Sequence, residues 1–237
     1  MLMRDLVVGD KVLTGSGTYE PVYSFGHKHD FIMATYLKIK TDQDNPLEIS
    51  PEHMVFISQD HSVPAGILKQ GDTLLLSNGE LTTIRSIDTI DRHGMYAPFT
   101  LSGRVVVNGI VASSYVSMQP TSEYLLLGKS LSTPFTLQWL AHAFEAPHRL
   151  AYRLGIAQEG HTKEGVSFWV KVPMQIATWL VQQNAVVMGL LMIPALAIFG
   201  IFWCLEQHLL TSIVVFAFLL VMSNKRSLKA RRIRMNC

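Results

Sequence analysis

Cysteine is scarce in this sequence. The 237 residues include only Cys204, which lies within an apolar run, and Cys237, the last residue. No sequence argument pairs the two, so we expect no disulfide framework. Residues 1–5 are not followed by the apolar stretch of a signal peptide. Because a strand-like pattern begins at once, we expect the first part of the domain to lie upstream of Met1.

Motifs that bind nucleotides or activate a serine are also absent. Neither glycine-rich phosphate-binding pattern, G-x-x-x-x-G-K-[ST] or G-x-G-x-x-G, occurs. No G-x-S-x-G pattern supports a serine hydrolase of that kind. Histidines are present, but without a cysteine or a defined ligand spacing they do not favour a zinc site. We therefore expect neither a metal ion nor a cofactor. The histidines considered are His27, His29, His53, His61 and His93.

Charge is nearly balanced overall but unevenly distributed. The formal net charge is +2, yet residues 224–237 hold basic side chains and no acidic one. Such a cluster could contact nucleic acid, but beside an apolar run it is typical of the cytoplasmic flank of a membrane segment. We predict a basic cytoplasmic tail and no nucleic-acid partner. The basic residues are Lys225, Arg226, Lys229, Arg231, Arg232 and Arg234.

Acidic and basic side chains are almost missing from residues 185–222, where only Glu206 and His208 carry them. A helix over residues 185–205 would be about 31 Å long, which is enough to cross a bilayer. A helix over residues 209–222 would reach only about 21 Å. The run therefore predicts a membrane region.

Two membrane arrangements fit residues 185–223. The preferred one is a helical hairpin whose connection contains Glu206, and the alternative is one span followed by an interfacial helix. Pro194 would kink the first helix without preventing its insertion. The basic tail places the C-terminus in the cytoplasm, and the side on which the preceding domain lies depends on the number of spans.

Residues 6–118 show short β-branched and apolar runs separated by turn residues. Asn78 and Gly79 both tolerate positive φ, so the segment around them is a strong hairpin signal. We predict an all-β region. The predicted strands are Lys11–Leu13, Val22–Phe25, Phe31–Ile39, Leu47–Ile49, Met54–Ile57, Thr73–Leu76, Leu81–Ile87 and Arg104–Val111.

An internal repeat connects two parts of this region. Leu6–Phe25 aligns with Leu68–Ile87 at an offset of 62 residues, with six identities in twenty positions. The Gly-Asp turn, a hairpin glycine and the inward apolar positions all coincide. The repeat predicts a duplicated β-subdomain related by a pseudo-two-fold axis.

From residue 120 to residue 184 the apolar residues recur at helical spacing. The predicted helices are Phe135–Phe144, Leu150–Leu154 and Phe168–Val181, with the polar stretch Gln158–Gly165 before the last. Two interpretations remain open. The helices form a small appendage that packs on the β domain, or they present a surface that meets lipid.

Several segments resemble the autoprocessing domain of hedgehog-type precursor proteins, which is a Hint (hedgehog/intein) domain. Tyr96–Leu101 is similar to the family's Tyr-Ala-Pro-Leu-Thr run, and Val111–Tyr115 to its Ala-Ser-Cys-Tyr signature. Residues 3–13 resemble its first Gly-Asp strand, and Ile49–Phe56 its Thr-x-x-His block. The resemblance implies an all-β Hint-type fold with pseudo-two-fold symmetry over residues 1–119.

The resemblance continues into residues 120–184. Trp139–Phe144, Phe168–Trp169 and Gln175–Leu180 look like the region that follows the domain in animal hedgehogs. In that family, sterol recognition is placed there. The resemblance therefore implies a sterol or another lipid as a partner of this helical region.

Self-cleavage is the activity that the resemblance implies. In the family, a cysteine at the start of the domain attacks the preceding peptide carbonyl, and a second nucleophile, a sterol hydroxyl in animal hedgehogs, resolves the thioester. Here that cysteine is expected about fifteen residues upstream of Met1, so the chain as it stands would not cleave itself. The implied partner is the upstream segment of its own precursor.

Ser50 and His53 occupy the Thr-x-x-His block. By resemblance, His53 protonates the leaving amine, with a histidine pKa suited to neutral pH, and Ser50 hydrogen-bonds at the scissile peptide. The alternative is an ordinary turn that carries a loop histidine.

Two further candidate site residues depart from the family pattern. His27 stands where the family has an aspartate that activates the incoming hydroxyl. A neutral imidazole can also be a base, so a sterol, water or another nucleophile could be the acceptor, or His27 is an exposed strand-end residue. Ser114 stands where the family has a cysteine. Because a hydroxyl is a poorer acyl carrier than a thiolate, a structural serine is favoured there.

Three functions follow from these features. The first is the autoprocessing module of a membrane-associated precursor. The second is a catalytically inactive β module that serves as a binding or scaffold domain on a membrane anchor. The third is a small membrane protein whose main function resides in the apolar segments and whose β domain is regulatory.

Overall fold

The computed structural model describes residues 1–15, 17–117, 124–126, 129–131, 136–157, 160–181, 183, 186–187, 190–191, 193–208 and 211. In this part of the chain, strands precede helices, and residues 193–208 are helical as well. The strands are β1 (Lys11–Leu13), β2 (Tyr19–Thr41), β3 (Leu47–Ile49), β4 (His53–Phe56), β5 (Ser62–Pro64), β6 (Thr73–Leu75), β7 (Leu81–Thr100), β8 (Arg104–Val107), β9 (Ile110–Val116), β10 (Tyr124–Leu126) and β11 (Lys129–Leu131). The helices are α1 (Leu137–Phe144), α2 (Ala146–Arg153) and α3 (Phe168–Val181), with short 3₁₀ turns at Met3–Asp5 and Ala65–Ile67.

Two long antiparallel strands organise the β domain. β2 and β7 pair from Val22 opposite Thr100 to Thr41 opposite Ile84. β1 and β3 pair with the two ends of β2, and β6 pairs with β7. A second sheet has the order β5-β4-β9-β8, and β10 pairs with β11. The β-rich prediction is confirmed for residues 6–15 and 17–117, the described part of the predicted range.

β2 is longer than the sequence predicts. The separate strands expected at Val22–Phe25 and Phe31–Ile39 are parts of one strand, because its pairing with β7 continues across the polar residues between them. The register shifts between Phe25 and His27 and between His29 and Met33. Each shift marks a β-bulge or irregularity, and bulges redirect side chains. β5 (Ser62–Pro64) was not predicted, because it offers a single β-branched apolar residue beside a proline, and proline argues against a strand.

The internal repeat is confirmed by equivalent hydrogen bonds in its two copies. The Val22 N–H donates to the Asp10 carbonyl at 2.8 Å, and the Ile84 N–H donates to the Asp72 carbonyl at 2.8 Å. The glycine before each aspartate has a φ of +98° and +93°, respectively. That left-handed conformation is open to glycine without steric cost, so the Gly-Asp pair specifies this turn twice.

The predicted hairpin at Asn78 and Gly79 is also present. Leu75 of β6 lies opposite Leu81 of β7, and Gly79 has a φ of +88°. The Glu80 N–H donates to the Asn78 side chain at 3.0 Å, as is typical of an asparagine in a tight turn.

The main hydrophobic core joins both sheets. Its buried members come from β2 to β9, and each fully buried aliphatic side chain stabilises the fold by about 1.5–3 kcal/mol relative to exposure. They are Ile39, Leu47, Ile49, Val55, Val63, Ala65, Leu68, Leu74, Leu76, Ile84, Val105, Ile110 and Ala112.

The helices pack on the β domain through a second, aromatic cluster. Its buried members are Tyr23, Met54, Phe99 and Tyr115. The helical residues Leu137, Ala141, Tyr152 and Val170 pack against it. The predicted helix Phe168–Val181 has the bounds of α3, and the other two predicted helices overlap α1 and α2. Packing of a helical region on the β domain, one of the two interpretations, is therefore observed.

A buried ion pair connects α2 to the helical residues 193–208. Arg149 donates from Nε and Nη2 to the two carboxylate oxygens of Glu206, at 2.8 and 2.7 Å. The Arg149 side chain is fully buried, and that of Glu206 is 2% exposed. Arg149 also donates to the Tyr115 hydroxyl at 3.2 Å, so the pair is linked to β9.

The predicted membrane region is only partly described. Glu206, which the hairpin interpretation places in a connection, lies in a helix. Among the described residues, no helix combines the length and the apolar character needed to cross a membrane. Most of the second predicted segment, residues 209–222, and the basic tail, residues 224–237, lie outside the described residues.

Replacing Glu206 by glutamine tests the buried pair. We expect Glu206→Gln to lower the free energy of unfolding by about 3–5 kcal/mol, because the Arg149 charge stays buried without a counter-charge. Urea unfolding of the full chain measures this. The matched control is Glu48→Gln, since Glu48 forms the same two-bond contact with the half-exposed Arg92. That variant should lose less than about 1 kcal/mol, and equal losses in both variants would contradict the assignment.

Candidate functional site

Ser50 and His53 stand at the two ends of a four-residue turn between β3 and β4. The His53 N–H donates to the Ser50 carbonyl at 3.1 Å and closes the turn. Pro51 occupies the second position, where its fixed φ suits the turn. The Ser50 Oγ lies 3.1 Å from the Nδ1 of His53. The structure thus brings the predicted pair into hydrogen-bond contact.

Neighbouring main-chain groups hold this turn in place. The Gly66 N–H donates to the Pro51 carbonyl at 2.8 Å, and the Ser117 N–H donates to the Glu52 carbonyl at 2.7 Å. A Cβ at Gly66 would lie 3.2 Å from the Pro51 carbonyl oxygen, so glycine permits this close approach. The turn is therefore fixed from both sides before any substrate binds.

The environment of His53 keeps its imidazole neutral. Burial, together with the charge of the nearby His27, lowers the pKa of His53 to about 4. The expectation of an ordinary histidine pKa is therefore wrong. At pH 7 the ring carries no net charge, so it has to accept a proton before it can donate one to a leaving amine. A neutral imidazole of this kind can act as a proton acceptor.

His27 lies on β2 directly after the bulge at Gly26. Its Nε2 is 2.7 Å from the main-chain carbonyl of Glu164, which lies far along the chain in the helical region. Burial lowers the pKa of His27, and the charges of His29 and His161 lower it further. The hydrogen bond to the Glu164 carbonyl raises it, but the net effect is a lower pKa. The structure thus brings His27 near His53 and leaves it neutral at pH 7.

Ser114 lies on β9 in a different environment. Its side chain is 2% exposed, and its N–H donates to the Gly103 carbonyl at 2.9 Å. Within the described part of the chain, the Ser114 Oγ has no hydrogen-bond partner, so it makes no hydrogen bond to Ser50 or His53. β9 reaches the site through Val116, which lies opposite His53. The strand therefore borders the site, and the Ser114 side chain is buried.

Residues 161–167 are a part of the site that sequence reasoning missed. They form a small hairpin in which the Thr162 N–H donates to the Val166 carbonyl at 2.8 Å. Val166 bridges to His27, and the Nε2–H of His161 donates to the Phe25 carbonyl at 3.0 Å. The sequence signals only a polar stretch here, because contacts between main-chain groups leave no pattern in side chains.

The arrangement provides two neutral imidazoles beside one hydroxyl. A neutral imidazole can take a proton from an attacking group and return it to a leaving group near neutral pH. Such a pair suits acyl transfer, in which two successive nucleophiles attack one carbonyl carbon.

Comparison with known proteins identifies relatives of this chain. The family model of the Hint module matches residues 1–182. Warthog protein 1 of Caenorhabditis elegans is 32% identical over 124 residues, which are 48% of this chain and 26% of that protein. Sonic hedgehog protein of Danio rerio is 24% identical over 204 residues, which are 77% of this chain and 46% of that protein. The chain thus spans less than half the length of these relatives.

Solved structures of inteins are similar to about half of this chain. The gp41-1 intein is 24% identical, with a TM-score of 0.40 over 47% of this chain and 84% of that chain. A bacterial intein-like domain from Clostridium thermocellum is 15% identical, with a TM-score of 0.39 over 48% of this chain and 87% of that chain. Because the family model covers well over half of the sequence, this chain belongs to the Hint family, with hedgehog-type autoprocessing domains among its relatives.

Proposed function

We propose that this chain is the self-cleaving part of a longer precursor, from which it releases an upstream segment through a thioester. The observation that carries the proposal is the 3.1 Å contact between the Ser50 Oγ and the His53 Nδ1 on a turn closed by its own main chain. The nucleophile that we propose is a precursor cysteine upstream of Met1.

In the first step, the cysteine sulfur attacks the carbonyl carbon of the peptide bond before it. His53, which is neutral at pH 7 because its pKa is about 4, accepts the thiol proton. It passes that proton to the amide nitrogen as the C–N bond breaks, which leaves a thioester and a free amine. Ser50 orients the imidazole through its hydroxyl. Proton transfer of this kind contributes about 10²–10⁴ to the rate.

In the second step, a hydroxyl group resolves the thioester. Its oxygen attacks the thioester carbonyl, His27 accepts the hydroxyl proton, and the C–S bond breaks to release the thiolate. The acceptor is a sterol, another alcohol or water. We assign no step to Ser114, because its buried hydroxyl makes no hydrogen bond to Ser50 or His53 in the described part of the chain.

An inactive scaffold is the alternative function. His27 and Ser114 stand where the family pattern has aspartate and cysteine, and a binding module would tolerate both changes without any chemistry. In that case the β domain displays a surface on a membrane anchor, and the turn at Ser50 and His53 is only structural. A cleavage assay separates the two functions.

We propose further that the C-terminal part of the chain contacts a lipid bilayer. Apolar side chains on α3 and on residues 186–205 are exposed instead of packed, which is costly in water. The basic residues 225–234 that follow would attract anionic headgroups. The exposed apolar residues are Val172, Ile176, Trp179, Val186, Leu190, Ile193, Leu196, Ile198, Ile201 and Leu205.

Self-cleavage can be tested in the chain extended upstream along its own coding sequence through the expected cysteine. Incubation with dithiothreitol or hydroxylamine should release two fragments on a denaturing gel, because both reagents attack a thioester. We expect His53→Ala to slow this release about 100-fold or more, since the attacking thiol and the leaving amine lose their proton carrier.

Matched variants separate chemistry from folding in this assay. His93→Ala removes an exposed histidine of β7 and should cleave at the wild-type rate. Ser50→Thr keeps the hydroxyl and should stay active, whereas Ser50→Ala should be slower. An extended chain that stays intact, or His53→Ala that cleaves normally, would leave the scaffold as the function.

Lipid contact can be tested by flotation of the full chain with vesicles that contain anionic lipid. We expect the chain to float with the vesicles. The double variant Ile193→Asp/Ile201→Asp should float less, because each charge would have to enter the apolar layer. Phe31→Ser, which removes an apolar side chain of the β domain that is 83% exposed, should float like the wild type. A chain that remains in the dense fraction would exclude this membrane contact.

A further inference from the structure

The hairpin formed by residues 161–167 occupies the edge of β2 at His27. The Lys28 N–H donates to the Gly165 carbonyl at 2.8 Å, and the Ser167 N–H donates to the Gly26 carbonyl at 3.0 Å. These two bonds flank His27, which forms an antiparallel bridge with Val166. The hairpin therefore adds a short strand to β2 on the side opposite β7.

Gly165 makes this docking sterically possible. Its φ is +82°, and a Cβ at this position would overlap the Lys28 carbonyl and lie 2.7 Å from the Cβ of His29. Any larger residue has to move the hairpin away from β2. Gly155, which precedes the hairpin, has a similar φ of +70° but would place its Cβ in open space.

The docked hairpin dictates which ring nitrogen of His27 carries the proton. The Glu164 oxygen at 2.7 Å from Nε2 belongs to a main-chain carbonyl, which can only accept a hydrogen bond. Nε2 must therefore be the protonated nitrogen. In the neutral ring, Nδ1 then holds the lone pair, and no residue that the structure describes hydrogen-bonds to it.

We propose that residues 161–167 position His27 as the base of the second step, by holding its imidazole in the Nε2–H tautomer with Nδ1 open to an acceptor hydroxyl. Glu164 contributes its main-chain carbonyl, and Gly165 permits the contact. This inference rests on the proposed function for its chemistry. The tautomer itself does not depend on cleavage.

The step balances with this assignment. Nδ1 takes the proton of the acceptor hydroxyl while its oxygen bonds to the thioester carbonyl carbon. The C–S bond breaks, and the imidazolium returns the proton to the departing thiolate. The bond from Nε2–H to Glu164 persists throughout and stabilises the imidazolium, because a charged donor makes the stronger hydrogen bond.

The burial of His27 is consistent with this role. Burial and the charges of His29 and His161 lower its pKa, so Nδ1 is free of a proton at pH 7. His53, which lies close to His27, is neutral at the same pH and adds no positive charge. Lys28 points elsewhere, since its ammonium group donates to the Leu6 carbonyl at 2.8 Å.

Nitrogen-15 NMR of the full chain with labelled histidine tests the proposal directly. We expect His27 to show a protonated Nε2 and an unprotonated Nδ1 at pH 7–8. In Gly165→Ala the ring should show both tautomers and titrate near the ordinary pKa of about 6.5. Gly155→Ala carries the same backbone strain without the clash and should match the wild type. An Nδ1–H tautomer in the wild type, or wild-type signals in Gly165→Ala, would overturn the proposal.

A second pair of variants guards against general unfolding. Ser167→Pro removes the N–H that donates to Gly26, whereas Ser167→Ala keeps it, and only the proline variant should release the His27 ring. In the extended chain, Gly165→Ala should slow hydroxyl resolution about tenfold or more and leave cleavage by dithiothreitol unchanged. If no variant cleaves, the proposed function fails, and the NMR result still decides the tautomer.

Discussion

A half-buried, uncharged imidazole on a closed turn is the constraint on which the site depends. The main-chain bond from His53 to Ser50 sets the turn, and the neighbouring strands exclude enough water to lower the pKa of His53 to about 4. An ordinary surface histidine would be partly protonated near neutral pH and would repel a second proton. The fold therefore holds a neutral imidazole in hydrogen-bond contact with the Ser50 hydroxyl.

The helical region is part of the site and not only an appendage. Its hairpin contacts His27, and its helices cover the aromatic cluster around Tyr23 and Tyr115. The buried pair of Arg149 and Glu206 ties the helical residues 193–208 to α2, and through the Tyr115 hydroxyl to β9. These hydrogen bonds form a continuous contact path from the helical residues 193–208 to the strand that borders the site.

Local turn chemistry and the repeat were predictable from the sequence. The two Gly-Asp turns, the hairpin at Asn78 and the contact of Ser50 with His53 depend on residues close in the chain, whose types restrict the backbone. The path of β2 through residues 26–30 was not predictable, because pairing with β7 overrides a polar interruption. The hydrogen bond between His27 and the Glu164 main-chain carbonyl was not predictable either, because every residue has such a carbonyl and the sequence does not show which one is used. A basic partner for Glu206 was predictable from the sequence, because a single acidic side chain in an apolar run needs a counter-charge.

The pH dependence of thioester formation tests the central claim most directly. In the extended chain, the rate should change less than about twofold between pH 7 and pH 5, because a base with a pKa of about 4 stays neutral over that range. In His53→Ala the rate should instead follow the thiolate and fall about tenfold per pH unit. A wild-type rate that falls about tenfold per unit below pH 6.5 would show an ordinary, exposed histidine and contradict the account.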